Sequence, residues 1–574
     1  MPTRLLSHRP TILGSRFMVA STHYHASQAA ARVFALGGNA IDAGVAAGLT
    51  LAVVEPHRAS LGGVVPILIR TARGTTHCIA GLGPWPKRAT IAEVTARWGG
   101  DLPEGIARTV VPAAISAYLV ALEHFGTLPF SVVAAPAREL AWGGFPVYPL
   151  LNAAIAAERS TFDRWPSSSR VFLPEGRVPR VGEILRQTDL AQLLDLLSEA
   201  EQSAGTRGRE AGLRSAHDRF YRGDIAEQLA AFSRAEGGLL DVDDLVEFRA
   251  PVEDPVRISF HDHEVLESGP WSQGPVLLQA LKILEPYGAE AFDPGDPRSV
   301  HLRIEALKLA FADREAFYGD PAFVSVPIDR LLSADYAAQR RAQIDGEHAS
   351  SGLPAPGNPW SGQGTTTPPS MTVTHGKGSG QADTTYVATG DVDGNVFSAT
   401  PSDPAFWSPL VPGLGIILSA RGAQTWLQED HPSSLRPGKR PRLTPNPALV
   451  LRDGKPLLAL GTPGGDVQCQ AMLQVLGAVV EHDWNLQAAI EAPRVATYAA
   501  PNSFWPHQAE PGVVRAESRL GADVLADLLR RGHAVEEWPA WEPLAGAVCA
   551  VQFHRNGMLA GGADPRRASY AIGW

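Results

Sequence analysis

A segment of 37 residues, from Gly346 to Ala382, constrains the fold of this chain more than any other feature of its 574 residues. It holds eight Gly, five Pro, five Ser and five Thr, and its only charged residues are Glu347 and Lys377. That composition is typical of a linker and does not favour a packed helix or strand. Inside a compact chain, a structureless stretch of this length is normally either a linker or functional. The residues that follow it decide which.

Those residues have the pattern of short strands joined by tight turns. Thr384–Thr389 is rich in β-formers, Asp393-Gly394 is a two-residue hairpin signal, and residues 396–400 return as a second strand. Two more hairpins are predicted around Asp453-Gly454 and Asn556-Gly557, with helices at about 467–481 and 519–531.

Before the segment, the apolar periodicity predicts mainly helices. Gly37-Gly38 ends a first helix, Asn39 caps a second that runs through Val54, and residues 64–69 are predicted as a strand. Further helices are predicted at 134–141, 188–200, 225–235, 276–284 and 301–317. Together with the hairpins, these elements predict an α+β fold.

Composition excludes several classes of protein. With 44% hydrophobic and 19% charged residues the chain is globular, and a net charge of −10 without a basic stripe argues against nucleic acid as a partner. Cys78, Cys469 and Cys549 are far apart and offer no second ligand at CxxC spacing, so neither a disulfide framework nor a thiolate metal site is expected. No metal and no other cofactor is predicted.

The chain is also expected to be cytoplasmic. Its first ten residues contain no apolar run of the length that a signal peptide needs. The most apolar stretch, Ala43 to Val54, is shorter than the roughly 18 residues of a membrane span, so no membrane contact is predicted.

The hairpin places Thr384 in a reactive setting. If Asp393-Gly394 is a two-residue turn, paired residue numbers sum to 787, so that Thr384 faces Asp403 with Ser402 beside it. A threonine hydroxyl is a weak nucleophile, but cleavage of the bond before Thr384 would create an α-amine of pKa about 7.7 to 8.0 that could take its proton. The flexible segment would let the cut end move away. The alternative is an ordinary strand threonine beside a turn serine.

The chain resembles the γ-glutamyltranspeptidase-like N-terminal-nucleophile (Ntn) hydrolases over most of its length. The resemblance rests on motifs that occur in the family's order, namely Gly37-Gly38-Asn39-Ala40-Ile41-Asp42-Ala43, Val54-Glu55-Pro56-His57, Leu61-Gly62-Gly63, Phe311-Ala312-Asp313-Arg314, Tyr318-Gly319-Asp320-Pro321, Asp383-Thr384-Thr385-Tyr386, Asp393-Gly394-Asn395, Gly438-Lys439-Arg440-Pro441, Pro463-Gly464-Gly465, Ala492-Pro493-Arg494 and Asp564-Pro565-Arg566.

The resemblance implies a proenzyme that cleaves itself between Asp383 and Thr384. A large piece, 1–383, and a small piece, 384–574, would form a heterodimer that could dimerise further and would share a four-layered αββα core. Residues 346–382 would be its flexible processing linker.

The resemblance also implies roles for individual residues. Thr384 would be the nucleophile, Ser402 would hydrogen-bond it, and Gly464 and Gly465 would form the oxyanion hole. Consecutive glycine N–H groups can approach a developing oxyanion closely, although a plain β-turn is the alternative. Thr444 matches the second of two hydroxyls on the substrate side.

Several positions depart from the family pattern. Leu82 stands where true γ-glutamyl enzymes have an arginine that clamps the α-carboxylate of the substrate, and Leu443 replaces the first substrate-side hydroxyl. Three further positions also differ from the family pattern. Gln424 stands near the place of the carboxylate that normally holds the α-ammonium group of the substrate. Pro404 replaces an amide-bearing residue, and Arg421 replaces a neutral amide. Arg421 could bind a substrate carboxylate from another direction or form a structural ion pair; Asp403 could orient the amine or cap a turn.

These features lead to one main hypothesis. The chain is expected to be a self-processing amidohydrolase or acyltransferase that acts on a small carboxylate-bearing amide rather than a true γ-glutamyl substrate. The alternatives are hydrolysis of a carbon–carbon bond in a biosynthetic pathway, ordinary glutathione hydrolase or γ-glutamyltransferase activity, and an inactive scaffold that is never processed. Ser272, within a sequence similar to a nucleophile elbow, is expected to cap a helix instead.

Overall fold

The computed structural model describes residues 7–360, 371, 373 and 384–574. Asp383 and most of the predicted linker lie outside the described residues. The described linker residues 346–360 contain no helix or strand, but they are hydrogen-bonded to the rest of the chain. The Gly357 N–H donates to Asp313 Oδ1 at 2.9 Å and the Ala355 carbonyl accepts from Arg340 at 3.1 Å.

Most of the α-helices of the described residues lie before Thr384, and only α18, α19 and α20 follow it. The α-helices are α1 Tyr24–Ala35, α2 Ala40–Val54, α3 Ile91–Trp98, α4 Ala114–Phe125, α5 Phe130–Val133, α6 Ala135–Gly143, α7 Pro149–Ala157, α8 Arg159–Arg164, α9 Pro166–Phe172, α10 Thr188–Ala204, α11 Arg209–Tyr221, α12 Asp224–Ala235, α13 Val242–Val246, α14 Gly274–Leu284, α15 Pro297–Phe317, α16 Ile328–Leu331, α17 Ala334–Arg341, α18 Gln468–Val480, α19 Leu486–Glu491 and α20 Ala522–Arg530.

Strands occur in both parts of the chain. They are β1 Ile12–Gly14, β2 Phe17–Ser21, β3 Ile67–Arg70, β4 Thr76–Ile79, β5 Phe145–Pro146, β6 Ile184–Leu185, β7 Val252–Glu253, β8 Val256–Phe260, β9 His263–Glu267, β10 Val387–Asp391, β11 Val396–Ala399, β12 Ala448–Arg452, β13 Lys455–Gly461, β14 Val495–Thr497, β15 Val513–Glu517, β16 Ala534–Trp538, β17 Cys549–Phe553, β18 Leu559–Ala563 and β19 Tyr570–Gly573.

Two antiparallel seven-stranded sheets dominate the described part of the chain. One has the order β1-β18-β17-β13-β12-β9-β8 and the other β19-β2-β10-β11-β3-β4-β7. Each sheet therefore combines strands from both sides of the bond before Thr384. The remaining strands form a three-stranded sheet, β14-β15-β16, and a two-stranded sheet, β5-β6.

Three apolar clusters hold the sheets and helices together. Residues from both large sheets, such as Met18, Tyr386 and Val551, share one cluster. A second cluster joins α2, α4 and α10 to β3 and β11, and a third joins α14, α15 and α18 to β12 and β13. The fold is α+β, as predicted from the alternation of helical and strand periodicity.

Several predicted elements are confirmed. Asn39 caps α2, and its side-chain oxygen accepts from the N–H groups of Ile41 and Asp42 in a capping box. Ser272 Oγ accepts from the Gly274 N–H at 3.0 Å and donates to the Gly269 carbonyl at 2.9 Å, so this serine belongs to the turn just before α14, whose N-cap is Gln273. Among the described residues, no helix is both long and apolar enough to cross a membrane.

The predicted register of the first hairpin is wrong by one residue. Val387 pairs with Ala399 and Gly390 with Val396, so paired numbers sum to 786 instead of 787. The turn has three residues, 392–394, because Gly394 adopts a left-handed φ of 89° and its N–H donates to the Asp391 carbonyl at 3.1 Å. This register places Thr384 opposite Ser402, not Asp403.

Candidate active site

Thr384 is the first residue of the continuous described segment after the predicted linker, at the predicted boundary between residues 1–383 and 384–574. It forms an antiparallel bridge with Ser402, and the two hydroxyl oxygens are 2.8 Å apart. Both residues are buried, with Thr384 only 1% exposed. The adjacent Thr385 N–H donates to the Pro401 carbonyl at 2.9 Å, which holds the two segments in this alignment.

The Leu61-Gly62-Gly63 motif fixes the position of Ser402. The backbone of Ser402 pairs with Val64, donating to its carbonyl at 2.9 Å and accepting from its N–H at 3.4 Å. A Cβ atom on Gly63 would lie 2.3 Å from the Ser402 carbonyl oxygen, and one on Gly62 would lie 1.9 Å from that of Ile417. Only glycine allows the two chain segments to approach this closely.

Arg421 contacts the hydroxyl pair directly. Its guanidinium Nη2 donates to Ser402 Oγ, and its Nε lies 4.0 Å from Asp403 Oδ1. Burial lowers the pKa of Arg421 to about 10, although the Asp403 carboxylate acts in the opposite direction. Burial likewise raises the pKa of Asp403, against the effects of Arg421 and of hydrogen bonds from Ser419 and Ala420. The pair is therefore a fully buried ion pair, 4.0 Å apart, beside the hydroxyls.

Gln424 extends this network to Thr444. Its Oε1 accepts from Arg421 Nη1 at 3.2 Å, and its Nε2 donates to Thr444 Oγ1 at 2.9 Å. Arg421 and Gln424 belong to the same 3-10 turn, Arg421–Gln424, so a single local element presents both side chains. The structure thus joins Thr384, Ser402, Arg421, Gln424 and Thr444 in one continuous hydrogen-bonded network.

The Gly464-Gly465 turn is linked to Thr384 through Gln468. Both glycines have positive φ, 124° and 57°, and the 3-10 turn Gly465–Val467 leads into α18. No acceptor for the N–H of either glycine is found among the described residues. Gln468, three residues after Gly465, donates from Nε2 to Thr384 Oγ1 at 3.4 Å. The turn therefore has two N–H groups without an acceptor among the described residues, a few residues before the side chain that contacts Thr384.

Sequence reasoning gave no role to three residues that organise this site, Gln273, Arg314 and Gln468. Gln273 Nε2 donates to the carbonyls of Thr444 and Gly465, each at 2.9 Å. Arg314 donates to Gln273 Oε1 at 3.1 Å and forms an ion pair with Asp466. Arg314 ends the Phe311-Ala312-Asp313-Arg314 motif and Asp466 follows the Pro463-Gly464-Gly465 motif, so these motifs could have pointed to both residues. No motif pointed to Gln468.

Leu82 and Leu443 occupy an apolar region instead of a charged one. Both are fully buried in the cluster that contains Trp271 and Leu266. The Leu443 N–H donates to the Trp271 carbonyl at 2.8 Å, which seats it next to the start of α14. The arginine clamp that the resemblance associates with γ-glutamyl recognition has an apolar side chain at its position here.

One group of possible metal ligands occurs in the described part of the chain. Ligand atoms of His301, Glu305 and His533 lie within 4.8 Å of one another. However, His301 Nδ1 and His533 Nε2 are 2.9 Å apart and hydrogen-bond each other, and the Lys308 ammonium pairs with Glu305 at 2.8 Å. A lysine ammonium already supplies the positive charge there.

Comparisons with known proteins identify the family of this chain. A family model described as Gamma-glutamyltranspeptidase matches residues 26–574. The Acylase ACY 1 proenzyme of Pseudomonas sp. (strain SE83) is 34% identical over 96% of this chain and 92% of its own length. The Oxamate amidohydrolase proenzyme of Klebsiella pneumoniae subsp. pneumoniae is 30% identical over 97% of this chain and 98% of its own length.

The fold agrees as well. The crystal structure of a cephalosporin acylase from Bacillus halodurans matches with a TM-score of 0.85 and 30% identity, covering 100% of this chain and 98% of the acylase. These relatives are amide hydrolases by name, and two of them are named as proenzymes. The chain therefore belongs to the γ-glutamyltranspeptidase family and is an amide hydrolase or transferase of the Ntn-hydrolase class.

Proposed function

We propose that this protein is a self-processing amide hydrolase, also capable of acyl transfer, whose nucleophile is Thr384. The observation that carries the proposal is the pairing of the Thr384 and Ser402 hydroxyls, 2.8 Å apart, at the first residue of the small piece. The Gly464-Gly465 turn, linked to Thr384 through Gln468, would supply N–H donors. The three apolar clusters support the four-layered αββα arrangement of two sheets between two helical layers.

Maturation would begin with attack of Thr384 Oγ1 on the carbonyl carbon of Asp383. The peptide C–N bond breaks as the C–O bond forms, and the proton lost by Oγ1 is transferred to the threonine nitrogen, so that the amide N–H becomes an amine. Water then hydrolyses the resulting ester, which restores the Thr384 hydroxyl and leaves a carboxylate on residue 383. The two pieces stay together because each large sheet contains strands of both.

In the mature protein the α-amine of Thr384 would act as the base. It takes the proton from Oγ1 as the oxygen attacks the substrate carbonyl, and it returns that proton to the leaving amine. The N–H groups of Gly464 and Gly465 would receive the oxyanion; such donors contribute roughly 3 to 4 kcal/mol each. Water, or a second amine, then resolves the threonyl ester.

The substrate is proposed to be a small carboxylate-bearing amide. Leu82 provides no charge for a glutamyl α-carboxylate, and Gln424 replaces the carboxylate that would hold the α-ammonium group. The buried Arg421 guanidinium is the charged group nearest to Ser402 that could attract a substrate carboxylate, and Thr444 would lie on the same side. The name of the oxamate amidohydrolase relative agrees with this substrate class.

The first experiment tests maturation. On a denaturing gel, the 61.1 kDa chain is expected to give pieces of about 41 and 20 kDa, on the assumption of uniform residue mass. The smaller piece should begin at Thr384 by N-terminal sequencing. Thr384→Ala should remain whole, whereas Thr385→Ala, a change of the neighbouring strand threonine, should still split. A Thr384→Ala protein that splits at the same bond would assign the nucleophile to another residue.

The second experiment tests the reaction. The processed protein is incubated with short acyl amides with and without a carboxylate, with γ-glutamyl amides, and with a keto acid whose adjacent carbon–carbon bond can be hydrolysed. Released ammonia or amine and the acyl products are measured. Faster release from the short carboxylate-bearing amides supports the proposal. Preference for γ-glutamyl amides would favour a glutathione hydrolase. Cleavage of the keto acid without release of ammonia or amine would favour hydrolysis of a carbon–carbon bond. A single unprocessed band without activity would indicate an inactive scaffold.

A further inference from the structure

Two side chains donate hydrogen bonds at the Thr384–Ser402 hydroxyl pair, one to Ser402 and one to Thr384. Arg421 Nη2 donates to Ser402 Oγ, which lies 2.8 Å from Thr384 Oγ1. Gln468 Nε2 donates to Thr384 Oγ1 at 3.4 Å. The Gln468 amide has a defined orientation, because its Oε1 accepts from the Asn446 N–H at 3.2 Å.

We propose that Arg421 is a positioning residue that acts on the nucleophile through Ser402, and the proposal rests on the proposed role of Thr384. A guanidinium has donors and no acceptor, so Ser402 Oγ must accept in this pair. The hydrogen of the serine hydroxyl is then available for donation, and Thr384 Oγ1 lies 2.8 Å from Ser402 Oγ. In the proposed arrangement Thr384 Oγ1 accepts from Ser402 and Gln468, which leaves its own hydrogen for transfer as the oxygen attacks.

This arrangement stabilises negative charge on the attacking oxygen. Hydrogen bonds from an ionised donor are roughly twice as strong as neutral ones, and the chain Arg421-Ser402-Thr384 begins with such a donor in a buried setting. As Thr384 Oγ1 loses its proton, the hydrogen bonds from Ser402 and Gln468 stabilise the negative charge that develops on this oxygen. The relay therefore serves self-cleavage and substrate hydrolysis equally, because both use the same oxygen.

The surroundings of Arg421 keep its guanidinium available for Ser402. Asp403 does not hydrogen-bond it; its oxygens accept instead from the Ser419 hydroxyl and the Ala420 N–H, and its Oδ1 is 4.0 Å from Arg421 Nε. The rings of Trp407 and Phe504 lie 5.7 and 5.5 Å from the guanidinium carbon. An arginine held in this way has a fixed direction and a charge that its carboxylate partner only partly neutralises.

Self-cleavage distinguishes this role from binding of a substrate carboxylate, because maturation needs no external substrate. Full-length chain is made in a short pulse of cell-free synthesis, and its conversion into two pieces is followed on denaturing gels. Arg421→Met should slow conversion about 10- to 100-fold, the range for loss of a hydrogen bond from a charged group. Arg421→Lys, which keeps a charged donor, should recover part of the rate. Arg32→Met, at an exposed ion pair with Glu139, is the matched control and should convert like the wild type.

A double-mutant cycle shows whether Arg421 acts through Ser402. In a Ser402→Ala background, Arg421→Met should change the rate less than about twofold, because the connection to Thr384 is already removed. The Asp403→Asn/Arg421→Met pair, which leaves no lone buried charge, should stay slow; recovery of the wild-type rate would mean that Arg421 only neutralises Asp403. Conversion of Arg421→Met at the wild-type rate, or full additivity with Ser402→Ala, would also overturn the relay. A wild-type chain that stays whole overturns the proposed function, and the relay with it.

Discussion

Thr384 and Ser402 face each other directly across an antiparallel bridge, and their hydroxyl oxygens lie 2.8 Å apart. Successive side chains of a strand point to opposite faces, so a shift of one residue in the register would have turned Ser402 away from Thr384. The three-residue turn at 392–394 therefore sets the distance between the two hydroxyls as well as the shape of the hairpin.

Gly63→Ala is expected to disturb the site and destabilise the protein. Its Cβ would lie 2.3 Å from the Ser402 carbonyl oxygen and 2.5 Å from Asp403 Cβ, so the backbone that carries Ser402 must move. Overpacking of this kind costs about 1 to 3 kcal/mol, and we expect slower maturation on gels together with a lower thermal midpoint.

The matched control for that change is Gly143→Ala. Nothing lies within 4 Å of the Cβ position of Gly143, and its φ is not in the left-handed region. Its thermal midpoint and its maturation should match the wild type. If Gly63→Ala also matched, the close approach of the Leu61-Gly62-Gly63 loop to Ser402 would not be required.

Leu82→Arg is expected to unfold the protein rather than to create γ-glutamyl recognition. Leu82 is fully buried in an apolar cluster with Trp271 and Leu443, and the carboxylate that contacts Trp271, Glu253, is already paired with Arg440. An unpaired charge buried there costs several kcal/mol. Soluble yield and thermal unfolding measure the loss, with the volume-conserving Leu82→Met as the control. A folded Leu82→Arg protein that hydrolyses glutathione would contradict this prediction.

Stability is expected to fall as the pH is lowered below the ordinary range of carboxyl pKa values. Burial by itself would raise the pKa of Asp564 and of Glu315, but Arg566 and Arg494 hold the pKa of Asp564 below its usual value, and Arg314 and Arg442 hold that of Glu315 well below. A group whose pKa is depressed by folding stabilises the protein above its unfolded pKa, and this contribution is lost as the pH falls towards its folded pKa.

Asp564→Asn tests this contribution. The variant should be less stable than the wild type at pH 7 by about 3 to 5 kcal/mol, because Arg494 and Arg566 lose a buried partner. Between pH 5 and pH 3 it should then lose less stability than the wild type, as followed by thermal midpoints. Equal losses for both proteins would show that Asp564 does not contribute to the acid dependence.

The first described residues of the predicted linker are expected to resist proteolysis. Ser350 Oγ donates to Glu305 Oε2 at 2.6 Å, and the Asp345 carbonyl is 2.8 Å from His301 Nε2. These contacts flank the exposed Glu347. Ser350→Ala removes a hydrogen bond to a charged group, worth about 1.5 to 3 kcal/mol, so a glutamate-specific protease should cut after Glu347 at least tenfold faster.

Peptide mapping of the digest identifies the cut, and Ser351→Ala, a change of the exposed neighbouring serine, is the control. Equal cleavage of Ser350→Ala and the wild type would mean that these hydrogen bonds do not hold residues 345–350 in place.

Local sequence signals predicted much of the fold. The capping box at Asn39, the helix 301–317 within α15 and the hairpin at Asp453-Gly454 all depend on residues that are neighbours in the chain. Such signals express backbone preferences that act over a few residues, so they survive without tertiary information. The turn at Asp393-Gly394 was placed correctly, but its length depended on whether Val392 joined the strand or the loop.

Sequence signals predicted only part of the candidate site. Thr384, Ser402 and the two glycines were predicted from their positions in motifs. In the structure Thr384 contacts Ser402 directly, whereas the glycine turn is connected to Thr384 through the side chain of Gln468. Gln273, which is 192 residues from Gly465, could not be assigned, because the contact between them exists only after α14 packs against the small piece.

The sequence by itself determined the secondary structure class, the position of Thr384 behind a linker-like segment, and the replacement of the γ-glutamyl clamp by Leu82. Only the tertiary structure decided that Thr384 faces Ser402 and that Arg421 reaches the Ser402 hydroxyl. The physical reason is that hydrogen bonds between side chains distant in sequence depend on register and close packing, to within a fraction of an ångström, whereas helix caps, turns and apolar periodicity act between neighbours.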